Sequence, residues 1–175
     1  MQLDGAKETP QHTRCSNPIL PGISVISWNV AGLERSRLIP DWLALIKSFD
    51  ICCLQETWDL YALNMEGYKC YVKPATASSS GRAAEELAVW IITLLRVEEV
   101  PLSSSAVQIL RIKPQVQETL ILINFYNNDF GKDNIANFKE LFGIISHIKK
   151  ERYMGKTYNI LLCGDFNAKL ALNQI

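Results

Sequence analysis

Four segments of this sequence place polar side chains directly where an apolar run ends. In Asn159–Ala168, the apolar run stops at Gly164, and Asp165 and Asn167 follow immediately. Three further apolar runs end in the same way: Ile23–Val30 at Trp28-Asn29, Ile51–Leu54 at Gln55-Glu56, and Leu120–Phe125 at Tyr126-Asn127-Asn128. Packing of a hydrophobic core does not require four strands that each end in a polar side chain. A metal-assisted phosphoryl or acyl transfer site does require such converging polar groups. The sequence therefore predicts a reactive site at these strand ends.

The residue types at these ends suit the hydrolysis of a phosphate ester. Glu56 is a suitable ligand for Mg²⁺, an ion that takes one or two carboxylates, keeps several waters and leaves room for phosphate oxygens. Asp165 could orient or deprotonate an attacking water. Asn29 and Asn167 supply amides that can fix the glutamate or hydrogen-bond a phosphate oxygen as charge builds up. Tyr126 offers a hydroxyl suited to a leaving oxygen or a sugar-phosphate.

Each of these residues, taken singly, also has a purely structural interpretation. Asp165-Phe166-Asn167 could form an Asx-type turn after a glycine, and Asn127-Asn128 could be turn residues. Tyr126 could be a boundary aromatic residue whose hydroxyl reaches water. The coincidence of four polar strand ends favours a site over these alternatives.

The length and charge of the chain limit the classes of function. Its 175 residues fit a single domain, and with 48% apolar residues it can bury a substantial core. Lysine plus arginine and aspartate plus glutamate number 18 each, so the chain has no net charge that would attract nucleic acid at long range. Any contact with a polyanion must therefore be local or made through a metal ion.

The cysteines and apolar runs bear on the compartment. Cys52, Cys53 and Cys163 lie inside apolar runs and have no metal-ligand spacing. They are interpreted as small buried residues of a reduced, intracellular compartment, nuclear or cytoplasmic. The longest apolar run, Leu87–Leu95, is shorter than the roughly 18 residues that span a bilayer, so we expect no membrane partner.

The N-terminal segment is expected to lie outside the folded domain. Met1–Pro21 has no apolar stretch of the kind that a secretory signal needs, so we expect a protein that is not secreted. We interpret this segment as a disordered leader and residues 22–175 as the domain. Thr76–Arg82, with three consecutive serines and Gly81, is interpreted as a mobile loop inside that domain.

Strand and helix patterns alternate along the domain. A first strand is predicted at Ile23–Val30, which is rich in β-branched residues. Further strands are predicted at Asp50–Glu56, Tyr68–Lys73, Leu87–Leu95, Val107–Ile112, Leu120–Phe125 and Asn159–Cys163. A short helix is predicted at Pro40–Lys47, with Pro40 and Asp41 in its first turn. A longer helix is predicted at Asp133–Lys150, capped by Asp133, with an apolar stripe made of Ile135, Phe138, Leu141, Phe142, Ile145 and Ile148. Many strands with few, separated helices favour an α/β fold, namely a sandwich of two sheets with helices outside.

Four motifs in this order resemble those of the endonuclease/exonuclease/phosphatase superfamily, the deoxyribonuclease I-like proteins. They are Ser27-Trp28-Asn29, Leu54-Gln55-Glu56-Thr57-Trp58, Asn124-Phe125-Tyr126 and Gly164-Asp165-Phe166-Asn167-Ala168. The resemblance extends from Ile23 to Ala168. The stretch Gly81-Arg82 followed by Leu87-Ala88-Val89-Trp90-Ile91 is most similar to the endonuclease domains of LINE-type, non-LTR retrotransposons.

The resemblance implies a two-sheet α/β sandwich and a Mg²⁺-dependent phosphodiesterase that acts on DNA, with Mn²⁺ as a substitute ion. Carried over by motif, Glu56 would bind the metal, with Asn29 as its neighbour. Tyr126 would contact the scissile phosphate. Asp165 would orient the nucleophilic water, and Asn167 would stabilise the transition state.

Two features depart from the superfamily pattern. Its late aspartate-histidine motif has no counterpart before Ile175, and the second sheet is therefore expected to be incomplete. The histidines of the sequence are His12, in the leader, and His147, which the helical period places on the solvent side of its helix. Retrotransposon members tend to have a glycine pair where this chain has Glu85 and Glu86, and two carboxylates there would oppose a nearby phosphate backbone.

Two hypotheses of function remain open. The first is a Mg²⁺-dependent phosphodiesterase that acts on DNA. The second is a non-catalytic remnant of such a domain with at most a binding role, which the absent histidine favours. An unrelated α/β hydrolase is disfavoured because the sequence has no Gly-x-Ser-x-Gly elbow. We expect the chain as written to cleave DNA feebly or not at all, because loss of a positioned acid–base group lowers the rate about 10²–10⁴-fold.

Overall fold

The structure, a computed structural model, describes residues 22–33, 40–58, 65–74, 86–101, 106–114, 118–127, 134–153, 155 and 157–167. The predicted leader Met1–Pro21, the predicted loop Thr76–Arg82 and the predicted cap Asp133 lie outside these residues. The described strands are β1 (Val25–Asn29), β2 (Ile51–Gln55), β3 (Tyr68–Lys73), β4 (Leu87–Ile92), β5 (Arg96–Glu99), β6 (Val107–Lys113), β7 (Thr119–Tyr126) and β8 (Tyr158–Asp165). The helices described in full are α1 (Trp42–Lys47) and α2 (Asn134–Tyr153).

Within the described residues, the strands form two four-stranded sheets. The first has the order β1-β2-β4-β3, with β1 and β2 parallel and the other neighbours antiparallel. The second has the order β5-β6-β7-β8, with β7 and β8 parallel and the other neighbours antiparallel. The sheets stack face to face, with β1 and β2 against β8 and with β2 and β4 against β7. The predicted two-sheet α/β sandwich is confirmed.

Strand side chains alternate between two faces, so each sheet contributes one face to the layer between the sheets. This inter-sheet layer is apolar over most of its length and includes Ile51, Cys53, Val89, Ile91, Leu110, Ile112, Leu120 and Leu122. The outer face of the first sheet packs on α1 through Trp42 and Ile46, and that of the second sheet packs on α2 through Leu141 and Ile148. Full burial of one such aliphatic side chain contributes about 1.5–3 kcal/mol. These three apolar layers therefore hold the strand ends in place.

The strand boundaries agree with the prediction to within a few residues except after β4. The predicted strand Leu87–Leu95 ends at Ile92, and Arg96–Glu99 forms the separate strand β5 in the other sheet. The Leu95 N–H donates to the Ile92 carbonyl oxygen at 3.1 Å, which closes a tight turn between them. The prediction was wrong here because apolar residues continue through the turn, where Leu94 is 75% exposed.

The helix α2 lies where it was predicted, but its buried face is narrower than the predicted stripe. Leu141 and Ile148 are buried, whereas Ile135 and Phe142 are 66% and 62% exposed. At about 100° per residue, these two lie roughly a quarter of a turn or more from the centre of the face that packs on the second sheet. His147 is exposed, as predicted.

The helix α1 begins two residues later than predicted. Pro40 and Asp41 precede it, and Asp41 has a φ of 64° and makes no side-chain hydrogen bond to the helix start. These two residues therefore form the entry to the helix, and the prediction that they lie in its first turn was wrong. Among the described residues, no helix is both long and apolar enough to cross a membrane.

Candidate active site

Strand alternation brings three of the predicted site residues to one place. Asn29 ends β1, Tyr126 ends β7 and Asp165 ends β8, and all three continue the face of their strand that points between the sheets. Asp165 is also the register partner of Tyr126 across the parallel pair β7 and β8. At these positions the inter-sheet layer changes from apolar to polar.

Glu56 joins this cluster by leaving the strand geometry. The preceding residue, Gln55, ends β2 with its side chain between the sheets, so continued alternation would turn Glu56 outwards. Instead, Glu56 has a φ of 55°, a left-handed conformation that destabilises a non-glycine residue by about 1–3 kcal/mol. Its Oε1 atom accepts hydrogen bonds from Asn29 Nδ2 at 2.8 Å and from Tyr126 Oη at 2.6 Å. The strained backbone thus places the carboxylate inside the cluster.

Asn29 holds the two carboxylates of the cluster together. Its Nδ2 atom donates to Glu56 Oε1 and to Asp165 Oδ2, each at 2.8 Å, and its Oδ1 atom accepts from the Ala31 N–H at 3.0 Å. An amide nitrogen carries two protons, so both are used on carboxylates. Of the two predicted roles for Asn29, the geometry therefore favours fixing Glu56 over contacting a phosphate oxygen.

Asn167 reaches the cluster through its backbone. Its N–H donates to Asp165 Oδ1 at 3.0 Å, which is the Asx-type turn considered for this segment. Its side-chain Nδ2 atom donates to the Asn127 carbonyl oxygen at 2.6 Å, and Asn127 Nδ2 donates to the Phe166 carbonyl oxygen at 3.0 Å. The turn and the site are therefore one structure, since the turn is what orients the Asp165 carboxylate.

Gly164 allows β8 to approach β7 closely just before Asp165. It has a φ of 141°, and a Cβ atom added there would lie 1.8 Å from the carbonyl oxygen of Phe125. Only glycine fits such an approach. The position of Asp165 is thus fixed by the backbone of the neighbouring strand.

The loop after β1 is hydrogen-bonded to the segment after β2. The Gly32 N–H donates to the Glu56 carbonyl oxygen at 2.7 Å, and the Leu33 N–H donates to the Thr57 carbonyl oxygen at 2.8 Å. The ring of Trp58 packs on Gly32, where an added Cβ atom would lie 2.9 Å from a ring carbon. These contacts fix the Glu56 backbone without using its carboxylate.

Sequence reasoning missed several residues that support the cluster. Asn127 is 1% exposed and ties the two loops together, and Gln55 and Asn124 are buried side chains directly beneath the site. Their place beside Glu56 and Tyr126 in the motifs was the available signal. The interpretation of Tyr126 as a boundary aromatic with a solvated hydroxyl was wrong, because this residue is 6% exposed and its hydroxyl donates to Glu56.

The carboxylate oxygens of the cluster are ligands that suit a hard divalent cation. Glu56 Oε1 takes up two hydrogen bonds, which leaves Oε2 of the same carboxylate to bind a cation beside Asp165. Mg²⁺ prefers such oxygen ligands and retains waters around them. Within the part of the chain that the structure describes, no group of three or more His, Cys, Asp or Glu side chains could hold a metal. Any ion bound here would therefore keep several waters or substrate oxygens.

Of the ionisable residues at which the sequence departs from the superfamily pattern, Glu86 and His147 lie within the described residues. Glu86 is 3% exposed and Glu85 lies outside the described residues, so the expectation that these carboxylates oppose a phosphate backbone stays a prediction. His147 is on α2, and His12 lies outside the described residues. Among the described residues, no imidazole reaches the cluster.

A separate apolar cavity lies between α2 and the second sheet. Its lining includes Ile109, Ile121, His147, Ile148 and Tyr158. None of the predicted site residues lines it, and it has no pair of carboxylates. We therefore place the candidate site at the strand ends, where the polar groups converge.

One protein family matches most of the chain. The profile of the Endonuclease/Exonuclease/phosphatase family matches residues 26–173, a range that includes the four strand ends of the cluster. Among curated proteins, none matches the chain.

Several solved structures share the fold. The endonuclease domain of TRAS1, a telomere-specific non-LTR retrotransposon, has a TM-score of 0.56 at 20% identity, over 85% of this chain and 60% of its own. The human Nocturnin catalytic domain, solved with a bound sulfate anion, has a TM-score of 0.60 at 18% identity, over 84% and 64%. ANGEL2, a 2′,3′-cyclic phosphatase, has a TM-score of 0.59 at 20% identity, over 85% and 54%. The chain thus spans less than two thirds of each of these structures, and the likeness is one of fold.

Proposed function

We propose, since the chain belongs to the Endonuclease/Exonuclease/phosphatase family, that it is a divalent-metal-dependent phosphodiesterase domain that cuts DNA. Family membership supports a hydrolase of the nuclease or phosphatase type. The metal, the DNA substrate and the relation to retrotransposon endonucleases are the further steps of the proposal. The observation that carries it is the hydrogen-bonded cluster of Asn29, Glu56, Tyr126 and Asp165.

Glu56 is the proposed metal ligand, for Mg²⁺ or for Mn²⁺ as its substitute. A bound Mg²⁺ would neutralise charge on a substrate phosphate and polarise its phosphorus–oxygen bonds. Glu56 offers Oε2 for this purpose while Asn29 and Tyr126 hold Oε1. One or two carboxylates do not replace a full hydration shell, so we expect weak binding that the substrate phosphate strengthens.

Asp165 is proposed to orient the attacking water and to accept its proton. The Asn167 N–H holds its Oδ1 atom and Asn29 holds its Oδ2 atom, so the carboxylate has a fixed direction. Water held in line by such a carboxylate gains from positioning as well as from proton transfer. The other atoms of the site then act on the phosphate.

Tyr126 and Asn167 are proposed to contact the phosphate group. The Tyr126 hydroxyl donates to the proposed metal ligand Glu56 at 2.6 Å, so a phosphate held by a metal ion on Glu56 would come within reach of that hydroxyl. The Asn167 Nδ2 atom uses one of its two protons on the Asn127 carbonyl oxygen. Its second proton can therefore donate to a phosphate oxygen in the transition state.

The proposal of DNA as substrate rests on two points. The stretch Leu87–Ile91 resembles retrotransposon endonucleases, and the TRAS1 endonuclease domain shares the fold of this chain. The chain has no net charge, so DNA contacts would be few and local, with a shallow dependence of affinity on salt. We also propose an intracellular location, nuclear or cytoplasmic, in keeping with free thiols at Cys52, Cys53, Cys70 and Cys163.

The alternative is a domain of this family that binds a metal or a partner without turnover. It is favoured by one observation, namely that no imidazole reaches the cluster among the described residues, since His147 is exposed on α2. The same experiment separates the two functions.

The experiment is a plasmid-nicking assay with the purified chain in Mg²⁺ and in Mn²⁺, together with calorimetric titration of Mg²⁺. The variants are Asp165→Asn and Glu56→Gln. The matched control is Glu98→Gln, which makes the same carboxylate-to-amide change. Glu98 lies on β5, the edge strand of the second sheet opposite β8, and forms ion pairs with Arg111 and Lys113.

We expect feeble metal-dependent nicking that Asp165→Asn and Glu56→Gln abolish and that Glu98→Gln retains. Nicking that survives both site variants would refute the site. Mg²⁺ binding without nicking would support the non-catalytic alternative. Turnover of single-stranded RNA or a 2′,3′-cyclic phosphate in place of DNA would keep the site and correct the substrate.

A further inference from the structure

Two buried amides cross the inter-sheet layer directly beneath the cluster. Gln55 of β2 is 1% exposed and Asn124 of β7 is 0% exposed, and Gln55 Nε2 donates to Asn124 Oδ1 at 2.7 Å. We call these two residues the amide pair. Because they belong to different sheets, their hydrogen bond joins the two halves of the sandwich. Cys53 and Leu122, two residues earlier on the same faces, belong to the apolar part of the layer.

Further hydrogen bonds fix the amide pair along the strands. Asn124 Nδ2 donates to the Leu54 carbonyl oxygen at 3.2 Å, and Gln55 Nε2 lies 3.2 Å from both the Cys53 carbonyl oxygen and Ser27 Oγ. The bond from Asn124 to the backbone of β2 crosses between the sheets. It therefore sets how far β7 is shifted along β2, as well as how far apart the two strands lie.

Stability alone does not account for amides at this depth. Two hydrogen-bonded amides contribute little net stability relative to two apolar side chains of similar shape, whereas either amide alone would be left unsatisfied. Leu122 shows that an apolar side chain packs well on the same face of β7, since it is completely buried. The use of a polar pair here calls for a geometric reason.

We propose that the amide pair positions Tyr126 against Glu56. Gln55 immediately precedes Glu56, and Asn124 lies two residues before Tyr126 on the same face of its strand. A fixed separation and shift of β2 relative to β7 thereby sets the 2.6 Å contact from Tyr126 Oη to Glu56 Oε1. The amide pair touches no substrate in this arrangement and acts through that contact. The inference rests on the proposed function, because it names residues that pre-organise the same site.

The variants that test this are Gln55→Met, Asn124→Leu and the double variant with both changes. Gln108→Met is the matched control. Gln108 is 6% exposed and crosses the same layer from β6 to β3, where it donates to the Tyr71 carbonyl oxygen at 2.9 Å, but neither strand carries a residue of the cluster. For each protein, urea unfolding, Mg²⁺ affinity by calorimetry and kcat/KM for DNA are measured.

We expect both single variants to be less stable than the wild type, because each leaves one buried amide unsatisfied. The double variant should recover most of the stability, since no unsatisfied amide remains. Mg²⁺ affinity and kcat/KM should fall about 10–100-fold in all three, the usual effect of removing a group that orients a metal ligand. Gln108→Met removes one buried hydrogen bond together with a buried Oε1 atom that has no partner, and it should keep both the Mg²⁺ affinity and kcat/KM of the wild type. If kcat/KM and Mg²⁺ affinity recover together with stability in the double variant, the pair is structural only and the proposal fails.

A double-mutant cycle in metal-free protein tests the route through Tyr126 without any turnover. Tyr126→Phe removes the hydrogen bond to Glu56, and its effect on stability is measured in the wild type and in the double variant. We expect a smaller effect in the double variant, because the contact is already weakened there. Equal effects in the two backgrounds would overturn the proposal. If the wild type cuts no DNA, the proposed function fails, whereas this cycle still decides whether the amide pair positions Tyr126.

Discussion

The inter-sheet layer has two ends of opposite character. At the apolar end the same faces of the strands carry Ile51, Ile91, Ile112 and Leu120. At the site end they carry Asn29, Tyr126 and Asp165, joined by Glu56 and underlain by the amide pair. One alternation of side chains along the strands produces both ends. The difference lies in the last one or two residues of each strand, and it shows how a fold adds a site without adding an element.

The two ends also differ in what each contributes. Apolar side chains need only the right volume and a dry environment, and together they supply stability. The site end instead holds two carboxylates on one amide nitrogen and a glutamate with a φ of 55°. Both features oppose folding and persist because the packed strands impose them. Substitutions at the two ends should therefore separate activity from stability.

The largest expected effect is on activity at the site end. Asp165→Asn should lower kcat about 10²–10⁴-fold, because an amide cannot accept the proton of the attacking water. Its free energy of unfolding should fall by no more than about 1–3 kcal/mol, because asparagine keeps an acceptor for the Asn167 N–H but turns a second donor towards Asn29 Nδ2, while the removal of a negative charge beside Glu56 offsets part of this cost. Single-turnover cleavage and urea unfolding of the same preparation measure both. If the loss in free energy of unfolding were as large as the rise in activation free energy, activity and stability would not be separable at the site end.

The second prediction is a substitution at the site end that lowers stability, which is an exception to the separation of activity from stability between the two ends. Gly164→Ala should lower the free energy of unfolding by about 3 kcal/mol or more, because it adds overpacking against Phe125 to an unfavourable φ. Gly67→Ala is the control, since Gly67 has a φ of 84° with nothing within 4 Å of the added carbon, so only strain of about 1–2 kcal/mol applies. Similar losses in the two variants would show that the contact between β8 and β7 is not the cause.

The apolar end could be predicted from the sequence more completely than the site end. Runs such as Tyr68–Lys73 and Val107–Ile112 gave strand positions because β-branched and aromatic residues suit a buried sheet. The turn before β5 could not be predicted, since Leu94 is apolar and yet exposed in a turn. The exposed Ile135 and Phe142 misled in the same way, because periodicity reports an apolar stripe and not how much of it a neighbour covers.

At the site end, the sequence predicted which residue types stand at the strand ends but not how they are arranged. Alternation accounts for Asn29, Tyr126 and Asp165. The left-handed φ of Glu56 depends on backbone contacts with the loop after β1, which no local pattern encodes. The partner of Gln55 lies 69 residues away along the chain, so that its hydrogen bond requires the stacking of the two sheets to be known.

The third prediction tests whether the charge of the site end serves the cation. Glu56→Gln should lower the affinity for Mg²⁺ at least about tenfold, because a neutral amide oxygen replaces one of two carboxylates offered to a strongly hydrated ion. Leu122→Ala, at the other side of the amide pair, should lose about 2–5 kcal/mol of stability and keep the Mg²⁺ affinity of the remaining folded protein. Calorimetric titration below the unfolding temperature of both variants measures this. Equal affinities of Glu56→Gln and the wild type would place the ion elsewhere.

The last prediction is a pH dependence of stability that belongs to the apolar part of β2. Burial, with a further contribution from the Asp50 carboxylate, raises the pKa of Cys52 to about 12. The hydrogen bond with Cys163 and complete burial raise the pKa of Cys53 well above its ordinary value. Both thiols therefore stay neutral in the folded protein at a pH where the unfolded chain loses their protons, so the stability that they contribute is fully present below about pH 8.5 and declines as the pH rises from there towards 12. The free energy of unfolding should fall by up to about 1.4 kcal/mol per pH unit for each thiol in this window. Urea unfolding at pH 8, 9, 10 and 11 measures the slope. The same measurement on Cys52→Ala cancels the pH dependence that comes from lysines and tyrosines, because both proteins contain them. A stability difference between Cys52→Ala and the wild type that stays constant across the four pH values would show that burial does not hold this thiol neutral.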